Sequence, residues 1–325
     1  MTRIAVVGAG GCVGEAMLEL LEKEGLSGEP PILYGSERSR GREISYGGER
    51  LPCRVLEEGE IEGVDIALFA AGAATSRRWA RSFRGRGAAV IDNSSAFRME
   101  PEVPLVVPEI NPESVPSPPA IIANPNCSTI ILLLALHPLR PLGDFRVVAS
   151  TYQAVSGAGR AGLEALERER AGGAFERGKP FPFPIEGNLF PLIGDPSVVD
   201  GLTVEERKMV QESRKILGWP DLQIQVTCVR VPVERCHSIA ATLIFDGDVK
   251  LEHAAELLRK APGVRLEEDP ELPPTPGPLA GEEGVSVGRL RRPAPAVLQL
   301  WIVGDQILKG AALNAVQIAR LCLER

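Results

Sequence analysis

The chain has 325 residues, of which 44% are hydrophobic, and is long enough to form two moderate globular domains. Its formal net charge of −7 argues against a nucleic-acid or anionic-membrane partner, because phosphate groups require a basic face. The six cysteines have neither CxxC nor zinc-type spacing, which predicts reduced thiols and no metal site. The sequence has no signal-peptide core and no apolar run of about 20 residues, so we expect a cytoplasmic protein.

The N-terminal segment predicts a nucleotide-binding βα unit. A short apolar strand, 3–7, ends in the glycine-rich turn GAGGCVG, and helical spacing of apolar residues follows. Glycines here permit a tight turn and the close approach of a pyrophosphate, while the helix N-terminus supplies N–H donors. Cofactor contacts are therefore expected from Gly8, Gly10, Gly11, Cys12, Val13 and Gly14.

The segment after the second predicted strand bears on the choice between NAD and NADP. Glu37 is suited to a ribose 2′-hydroxyl, the contact typical of NAD enzymes. Arg38, flanked by Ser36 and Ser39, matches the oxygens of a 2′-phosphate, because a guanidinium and two hydroxyls are phosphate donors. We therefore predict NADP as the cofactor.

Two further buried strands are predicted at 64–71 and 88–91, each followed by polar residues. Thr75 follows the first of these strands and is expected to face the cofactor. Ser94, Ser95 and Arg98 follow the second, at a strand's carboxyl end where doubly wound sheets bind ligands, and predict an anion pocket.

Cys127 is the candidate nucleophile. The apolar run 120–123 predicts a buried strand, Asn-Pro-Asn interrupts it, and the Leu-rich run 130–136 predicts a helix. A cysteine at such a helix N-terminus is favoured as the thiolate, because unpaired N–H groups and the helix dipole stabilise negative charge. The alternative is a small buried hydrophobic residue ahead of a core helix.

The second half of the chain changes pattern. Segments 145–152, 223–229, 238–245 and 296–303 alternate apolar and polar residues, as half-buried strands do. The predicted fold is an N-terminal Rossmann-type α/β domain followed by an α+β catalytic and dimerisation domain with a mostly antiparallel mixed sheet. The predicted domains are 1–127 with 306–325 and 128–305, the C-terminal helix packing back on the first domain.

The sequence TVEERKM predicts the start of a helix. Thr203 and Glu206 have the spacing of a capping box, which leaves Glu205 available. Glu205 and Lys208 are three residues apart and share one helix face. They are either a substrate-binding pair or a surface ion pair worth under about 1 kcal/mol.

Motifs along almost the whole chain resemble the bacterial aspartate-β-semialdehyde dehydrogenase family. In order, they are GAGGCVG, DNSSAFR, NPNCST, TYQAVSGAG, EERKM, RVPVERCHS and GDQILKGAALNAVQIA. The resemblance implies an NADP-dependent oxidoreductase that converts β-aspartyl phosphate to aspartate β-semialdehyde. This reaction serves lysine, diaminopimelate, threonine, methionine and isoleucine biosynthesis, and relatives form homodimers or homotetramers.

The resemblance also implies a role for individual residues. Cys127 forms an acyl-thioester, His237 is the general acid/base, and Gln153 orients the substrate. Arg230 holds the substrate α-carboxylate; because an unbroken strand would place it opposite His237, Pro232 is expected to mark a break. The remaining substrate or phosphate contacts are Arg98, Asn126, Glu205 and Lys208, and the remaining cofactor contacts are Ser156, Gly157 and Gln306.

Three alternatives remain at this stage. N-acetyl-γ-glutamyl-phosphate reductase shares the chemistry, but its relatives usually carry Gly-Cys-Tyr where Asn126-Cys127-Ser128 stands here. A malonyl-CoA reductase-like enzyme would not need Arg98 and Lys208 as a phosphate pocket. A non-catalytic NADP-binding paralogue would have no use for Cys127 and His237.

Overall fold

The chain forms two units in a computed structural model, which describes residues 2–57, 61, 63–197 and 199–325. The units are Met1–Asn126 with Ala311–Arg325, called here the first unit, and Cys127–Gly310, called the second unit. The predicted boundaries after residues 127 and 305 lie one and five residues from these, because 127 − 126 = 1 and 310 − 305 = 5.

The first unit contains a seven-stranded sheet in the order β3-β4-β2-β1-β5-β6-β7. All its pairings are parallel except that between β3 and β4. The central strands are short, apolar and buried along their whole length, as strands covered on both faces must be. The predicted Rossmann-type domain is confirmed. Its strands are β1 Ile4–Val7, β2 Ile32–Gly35, β3 Glu43–Tyr46, β4 Glu49–Val55, β5 Ile66–Phe69, β6 Ala89–Asp92 and β7 Ala120–Ala123.

Three helices belong to the first unit, namely α1 Cys12–Glu24, α2 Ala73–Gly85 and the C-terminal α7 Leu313–Leu323. Helix α7 packs against α1 and against β5 and β6, so the expectation that the C-terminal helix returns to the first domain is confirmed. Its Asn314 donates to the carbonyl of Val106 and to the side chain of Asn124, which anchors it by buried hydrogen bonds.

The second unit contains a six-stranded mixed sheet in the order β11-β12-β13-β10-β8-β9. Of the five strand pairings, β8–β9 and β11–β12 are parallel and the other three are antiparallel, which agrees with the predicted mostly antiparallel mixed sheet. Its strands are β8 Phe145–Gln153, β9 Ile224–Arg230, β10 His237–Phe245, β11 Val264–Leu266, β12 Val285–Ala294 and β13 Val297–Gly304; its helices are α3 Cys127–Leu136, α4 Arg160–Arg170, α5 Val204–Ile216 and α6 Leu251–Lys260.

One end of this sheet gathers the polar residues of the second unit. Strands β8 and β9 are parallel and end there at Gln153 and Arg230, while the antiparallel β10 begins there at His237. Strand β13 ends at the same place, with Gly304 opposite His237. The chain therefore leaves the sheet between Arg230 and His237, and the predicted break around Pro232 is confirmed.

Some elements were not predicted. A hairpin of β3 and β4 turns at Gly47 and Gly48, whose φ angles of 59° and 80° suit a tight two-residue turn. Helix α2 begins at Ala73, in a segment where the sequence analysis predicted no helix, so Thr75 lies in a helix. Within the described residues, no helix has the length and apolar character to cross a membrane, and no cluster of three or more His, Cys, Asp or Glu side chains is arranged to hold a metal ion.

Candidate active site

The glycine turn of the first unit is shaped to receive a dinucleotide. Gly8 has a φ of +92°, and a β-carbon on Gly14 would lie 2.2 Å from the carbonyl oxygen of Gly8. Helix α1 has Gly11 as its N-cap with no side-chain cap, which suits a ligand phosphate as acceptor for its first N–H groups. A groove of about 900 Å³ runs past this turn, and the residues present fit a nicotinamide dinucleotide.

Six of the predicted cofactor residues line this groove, namely Gly8, Gly10, Gly11, Ser36, Ser39 and Thr75. Cys12, Val13 and Gly14 lie in the first turn of α1 behind the glycine loop. Arg38 is exposed beside the groove, in the short helical turn Glu37–Ser39. The groove is also lined by residues that the sequence did not single out, including Glu57, Arg78 and Trp79.

An arginine holds the two acidic side chains of the groove. Arg40 donates to both carboxylate oxygens of Glu37, at 3.0 and 3.1 Å, and to Glu57 at 3.0 Å. These hydrogen bonds lower the pKa of the Glu37 carboxyl and keep it ionised against the guanidinium. The Glu37 carboxylate is therefore paired with the Arg40 guanidinium. An NAD enzyme would present a free carboxylate at this position.

The predicted anion residues of the first unit lie in a buried polar network. Arg98 is 7% exposed and donates from Nε to the carbonyl of Asn124 at 2.9 Å and from Nη2 to the carbonyl of Asn93 at 2.7 Å. The neighbouring Ser94 donates to Asp92 at 2.8 Å. These contacts fix the direction of the guanidinium, and Asn126 is buried at the end of the same NPN segment.

Cys127 is the first residue of α3 and is partly accessible, as its proposed chemistry requires. The backbone of Gly310 approaches it so closely that a β-carbon there would lie 2.8 Å from the Cys127 β-carbon. Gly310 belongs to a π-helical turn, Leu308–Ala312, which Asp305 caps by accepting from the N–H groups of Ile307 and Leu308. A glycine of the C-terminal motif thus packs directly on Cys127.

His237 and Arg230 are held by the backbone of one residue, Ala154. The Ala154 N–H donates to His237 Nδ1 at 3.1 Å, and the Ala154 carbonyl accepts from Arg230 Nη1. A β-carbon on Gly157 would lie 2.8 Å from Arg230 Nη1 and 3.2 Å from His237 Nε2. The two side chains that the sequence placed seven residues apart therefore lie together.

Burial controls the charge of both groups. His237 is fully buried, and its pKa is lowered well below the usual 6.5 by loss of solvation and then by the charge of Arg230. Desolvation also lowers the pKa of Arg230, and its electrostatic interactions with Glu205, Cys127 and Cys228 oppose that shift. His237 is accordingly neutral at physiological pH, and Arg230 lies close enough to Glu205 and Cys127 to interact with both.

The capping box of α5 is confirmed. Thr203 accepts from the N–H of Glu206 at 3.3 Å, and Glu206 accepts from that of Thr203 at 2.8 Å. Glu205 is 7% exposed, pairs with Lys208 at 3.2 Å, and accepts from Gln153 Nε2 at 3.5 Å. The pair is therefore not a surface ion pair, because its carboxylate is buried beside Gln153.

The three cofactor residues predicted in the second unit lie beside His237. Gln306 donates to the hydroxyl of Ser156 and accepts from the N–H of Cys236 at 2.9 Å. Gly157 follows Ser156 and faces His237. Cys236 has a φ of +70°, and its side chain packs with Leu279 and Val303, which directs the thiol into an apolar cluster.

Sequence reasoning missed two residues that position this site. Ala154 acts through its backbone, which no side-chain pattern can indicate. Gly310 lies within the quoted motif GDQILKGAALNAVQIA, yet its approach to Cys127 depends on folding across 183 residues of chain, from 127 to 310.

Comparison with known proteins finds related sequences over almost the whole chain. The sequence models described as semialdehyde dehydrogenase, NAD binding domain, and semialdehyde dehydrogenase, dimerisation domain, match residues 3–117 and 136–309. An aspartate-semialdehyde dehydrogenase of Synechocystis sp. is 45% identical, over 99% of this chain and 98% of its own length. That of Aquifex aeolicus is 44% identical, over the same shares.

The chain belongs to the aspartate-semialdehyde dehydrogenase family. A solved structure of aspartate semialdehyde dehydrogenase II from Vibrio cholerae, complexed with ASA, superposes with a TM-score of 0.94. It is 37% identical and the match covers 100% of this chain and 98% of that one. The cofactor class, a nicotinamide dinucleotide, follows from the family domain over residues 3–117.

Proposed function

We propose that this chain is an NADP-dependent aspartate-semialdehyde dehydrogenase, which reduces β-aspartyl phosphate to aspartate β-semialdehyde and releases phosphate. The observation that carries the proposal is the placement of an accessible cysteine at the start of α3, in a unit whose His237, Arg230, Gln153 and Glu205 converge at one end of its sheet. Together with full-length relatives of this activity, this supports a thioester mechanism.

Cys127 begins the reaction as a nucleophile. Its sulfur attacks the acyl carbon of β-aspartyl phosphate, the bond to the phosphate oxygen breaks, and phosphate leaves with the electron pair. The helix N-terminus of α3 stabilises the thiolate before attack and again when it is expelled. Bound NADPH supplies the hydride that reduces the resulting thioester. Collapse of the reduced adduct breaks the C–S bond and gives the aldehyde.

The charged residues hold the ends of the substrate. Arg230 binds the α-carboxylate, for which its rigid fork is better suited than a lysine. Glu205 binds the amino group, and Lys208 with Arg98 and Asn126 binds the phosphate. Gln153 orients the acyl group, and His237 acts as the general acid/base that handles the protons of the Cys127 thiol and of the reacting carbonyl oxygen. The burial of Glu205 and Arg230 strengthens both contacts, because the local dielectric is low.

The choice of NADP rests on the rim of the groove in the first unit. Ser36 and Ser39 line the groove, with their hydroxyls 3.5 Å apart, and Arg38 is in the same turn. Arg40 occupies Glu37 and so removes the carboxylate that would select a ribose hydroxyl. Ser156, Gly157 and Gln306 of the second unit complete the set of predicted cofactor contacts.

A second copy of the chain is expected to bind the second unit, which matches the dimerisation-domain model. Alternate residues of β8 and β13 remain partly accessible, including Val148, at 43% exposure, and the aromatic pair Tyr152 and Trp301. We take this accessible sheet face as the dimer contact. Val148→Asp should shift the sedimentation coefficient toward that of a monomer, whereas an unchanged value would exclude this face. A cytoplasmic location stays a prediction, supported by six free cysteines.

The proposed function is tested by following NADPH formation from aspartate semialdehyde, NADP and phosphate. Wild-type protein should show phosphate-dependent turnover, and Cys127→Ala should abolish it. Cys322→Ala, which alters a buried thiol of α7, is the matched control and should keep the activity. Activity that survives Cys127→Ala, or a preference for N-acetylglutamate semialdehyde, would contradict the assignment.

A further inference from the structure

Glu206 joins the first turn of α5 to strand β9. Its side chain is buried, at 7% exposure, and each of its two carboxylate oxygens accepts from a backbone N–H group. One oxygen accepts from Thr203 at 2.8 Å, which is half of the capping box, and the other accepts from Cys228 at 3.0 Å. The capping box therefore explains only one of the two hydrogen bonds, because the second reaches a strand 22 residues further along the chain.

Strand β9 needs an acceptor at this position. It is the last strand in the order of its sheet and pairs with β8, so alternate N–H groups of β9 point away from the sheet. One of these, the N–H of Arg230, donates to the carbonyl of Phe190 at 2.9 Å. Another is the N–H of Cys228, which is fully buried and so requires an acceptor within the protein. The Glu206 carboxylate is that acceptor.

A second contact joins the same two elements one helical turn further along. The Sγ atom of Cys228 lies 3.7 Å from the Sδ atom of Met209, which is also fully buried. Met209 is three residues after Glu206 and therefore shares its face of α5. Packing between sulfur atoms tolerates small shifts, whereas a charged hydrogen bond is directional. The hydrogen bond between Glu206 and Cys228 is thus the contact that fixes the position of the helix on the strand.

This hydrogen bond lies between the two residues proposed to bind one end of the substrate. Glu205 precedes Glu206 on α5 and is proposed to bind the amino group. Arg230 follows Cys228 by two residues, about 7 Å along the strand, and is proposed to bind the α-carboxylate. Because the amino group and the α-carboxylate are attached to the same carbon atom, the two side chains must keep a constant separation to hold both groups at once.

We propose that Glu206 is a positioning residue, whose carboxylate fixes the separation between Glu205 and Arg230. It acts through these two side chains and makes no contact with the substrate itself. Recognition of the α-amino-acid end of the substrate then depends on a helix-capping residue. The inference rests on the proposed function for the identity of the substrate, while the hydrogen bond to Cys228 is a property of the chain alone.

Glu206→Gln tests this role, because it keeps the size of the side chain and removes one of the two acceptor oxygens. We expect KM for aspartate semialdehyde to rise at least about tenfold, since small misplacements of binding groups are costly. We expect kcat to stay within about threefold, because the affected contacts are remote from the reacting carbon. Steady-state kinetics on variants that are folded by circular dichroism measures both constants.

Thr203→Ala is the matched control. It removes the hydroxyl that accepts from the N–H of Glu206 and so weakens the same helix start, but it leaves the hydrogen bond to Cys228 in place. We expect its KM to remain close to that of the wild type. An equal rise of KM in Thr203→Ala and Glu206→Gln would assign the effect to the helix cap and overturn the proposal.

A double-mutant cycle separates positioning from a general effect on the fold. In Glu205→Gln the contact with the amino group is already weakened, so adding Glu206→Gln should change KM less than about twofold. If Glu206 only stabilised the fold, the two effects on KM would multiply, which would contradict the proposal. Absence of turnover in the wild-type chain would instead contradict the proposed function, so the two failures are distinguishable.

Replacement of one backbone amide by an ester tests the hydrogen bond itself. Lactic acid at position 228 removes the N–H that donates to Glu206, and Cys228→Ala, which keeps this N–H, is the comparison. The ester should raise KM about as much as Glu206→Gln does. It should also speed hydrogen exchange of the amides in Ile224–Arg230, which mass spectrometry measures without substrate. Equal KM and equal exchange in the ester and in Cys228→Ala would overturn the role of Glu206.

Discussion

The two units handle charge in opposite ways. In the groove of the first unit, Arg40 and its partners Glu37 and Glu57 are 54%, 71% and 56% exposed, so water screens their interactions. At the sheet end of the second unit, Arg230, Glu205 and His237 are 5%, 7% and 0% exposed. Substitutions of similar charged side chains should therefore differ in their effect on catalysis. We expect substitutions in the second unit to lower the reaction rate, and substitutions at the groove rim to change the relative affinity for the two cofactors.

Arg230→Lys should give the largest effect among charge-retaining substitutions. Lysine keeps the charge but loses the fork, which donates to the Ala154 carbonyl and is proposed to bind the substrate carboxylate as well. We expect kcat/KM for aspartate semialdehyde to fall by about 10²–10³-fold, or about 3–4 kcal/mol, because the bidentate contact of a buried guanidinium is lost although the charge remains. Steady-state kinetics measures it, and a loss under about threefold would mean that Arg230 does not hold the substrate.

Gly310→Ala should reduce turnover by displacing Cys127. The added β-carbon would lie 2.8 Å from that of Cys127, so the π-helical turn or the cysteine must move. Misplacement of a reacting group by about 1 Å can reduce the rate about 10²-fold, and we expect at least a tenfold loss in kcat. Gly277→Ala is the control, because nothing lies within 4 Å of its β-carbon position. Equal kcat in the two variants would show that the close approach of Gly310 does not position Cys127.

His237 should make the folded protein sensitive to acid. In the unfolded chain its pKa is near 6.5, and in the folded chain burial and Arg230 lower it. As the pH falls below about 6.5, His237 binds a proton in the unfolded state but not in the folded state. The unfolding free energy therefore falls, by about 1.4 kcal/mol for each unit by which the His237 pKa differs between the two states.

Urea unfolding at pH 7.5 and pH 5 measures this effect. His237→Gln cannot be protonated and should be less destabilised by acid than the wild type. His253→Gln, at an exposed position of α6, is the control and should behave as the wild type does. An unchanged pH dependence in His237→Gln would show that the buried ring is not the acid-sensitive group.

The groove rim should give the smallest effect. Arg40→Ala releases the Glu37 and Glu57 carboxylates, which then repel a 2′-phosphate. We expect the ratio of NADPH to NADH affinity to fall only a few-fold, because exposed ion pairs contribute about 1 kcal/mol or less. Nucleotide fluorescence titration measures both Kd values. Arg50→Ala, which removes an exposed pair with Glu43 elsewhere in the first unit, should leave the ratio unchanged.

The sequence predicted features that depend on neighbours in the chain. The capping box at Thr203 and Glu206 and the helix beginning at Cys127 follow from local spacing, and both are present. The Gly47–Gly48 hairpin was also encoded locally, and it was missed because its strands are exposed and polar and lack an apolar face. Local patterns therefore carry much of the fold.

The site depends on contacts that local patterns do not specify. The amide of Ala154 meets His237 where the antiparallel strands β8 and β10 lie side by side, and Gly310 approaches Cys127 from a turn that Asp305 caps. The family resemblance assigned roles to side chains and was silent on these backbone groups. Their position follows from the sheet register, which emerges when the strands assemble.

The most direct measurement is the detection of the acyl-enzyme. Mixing the protein with aspartate semialdehyde and NADP without phosphate, followed by acid quench and peptide mass spectrometry, should show an aspartyl thioester on Cys127 that disappears when phosphate is added. An acyl group on another cysteine, or full turnover with Cys127 never modified, would contradict the account.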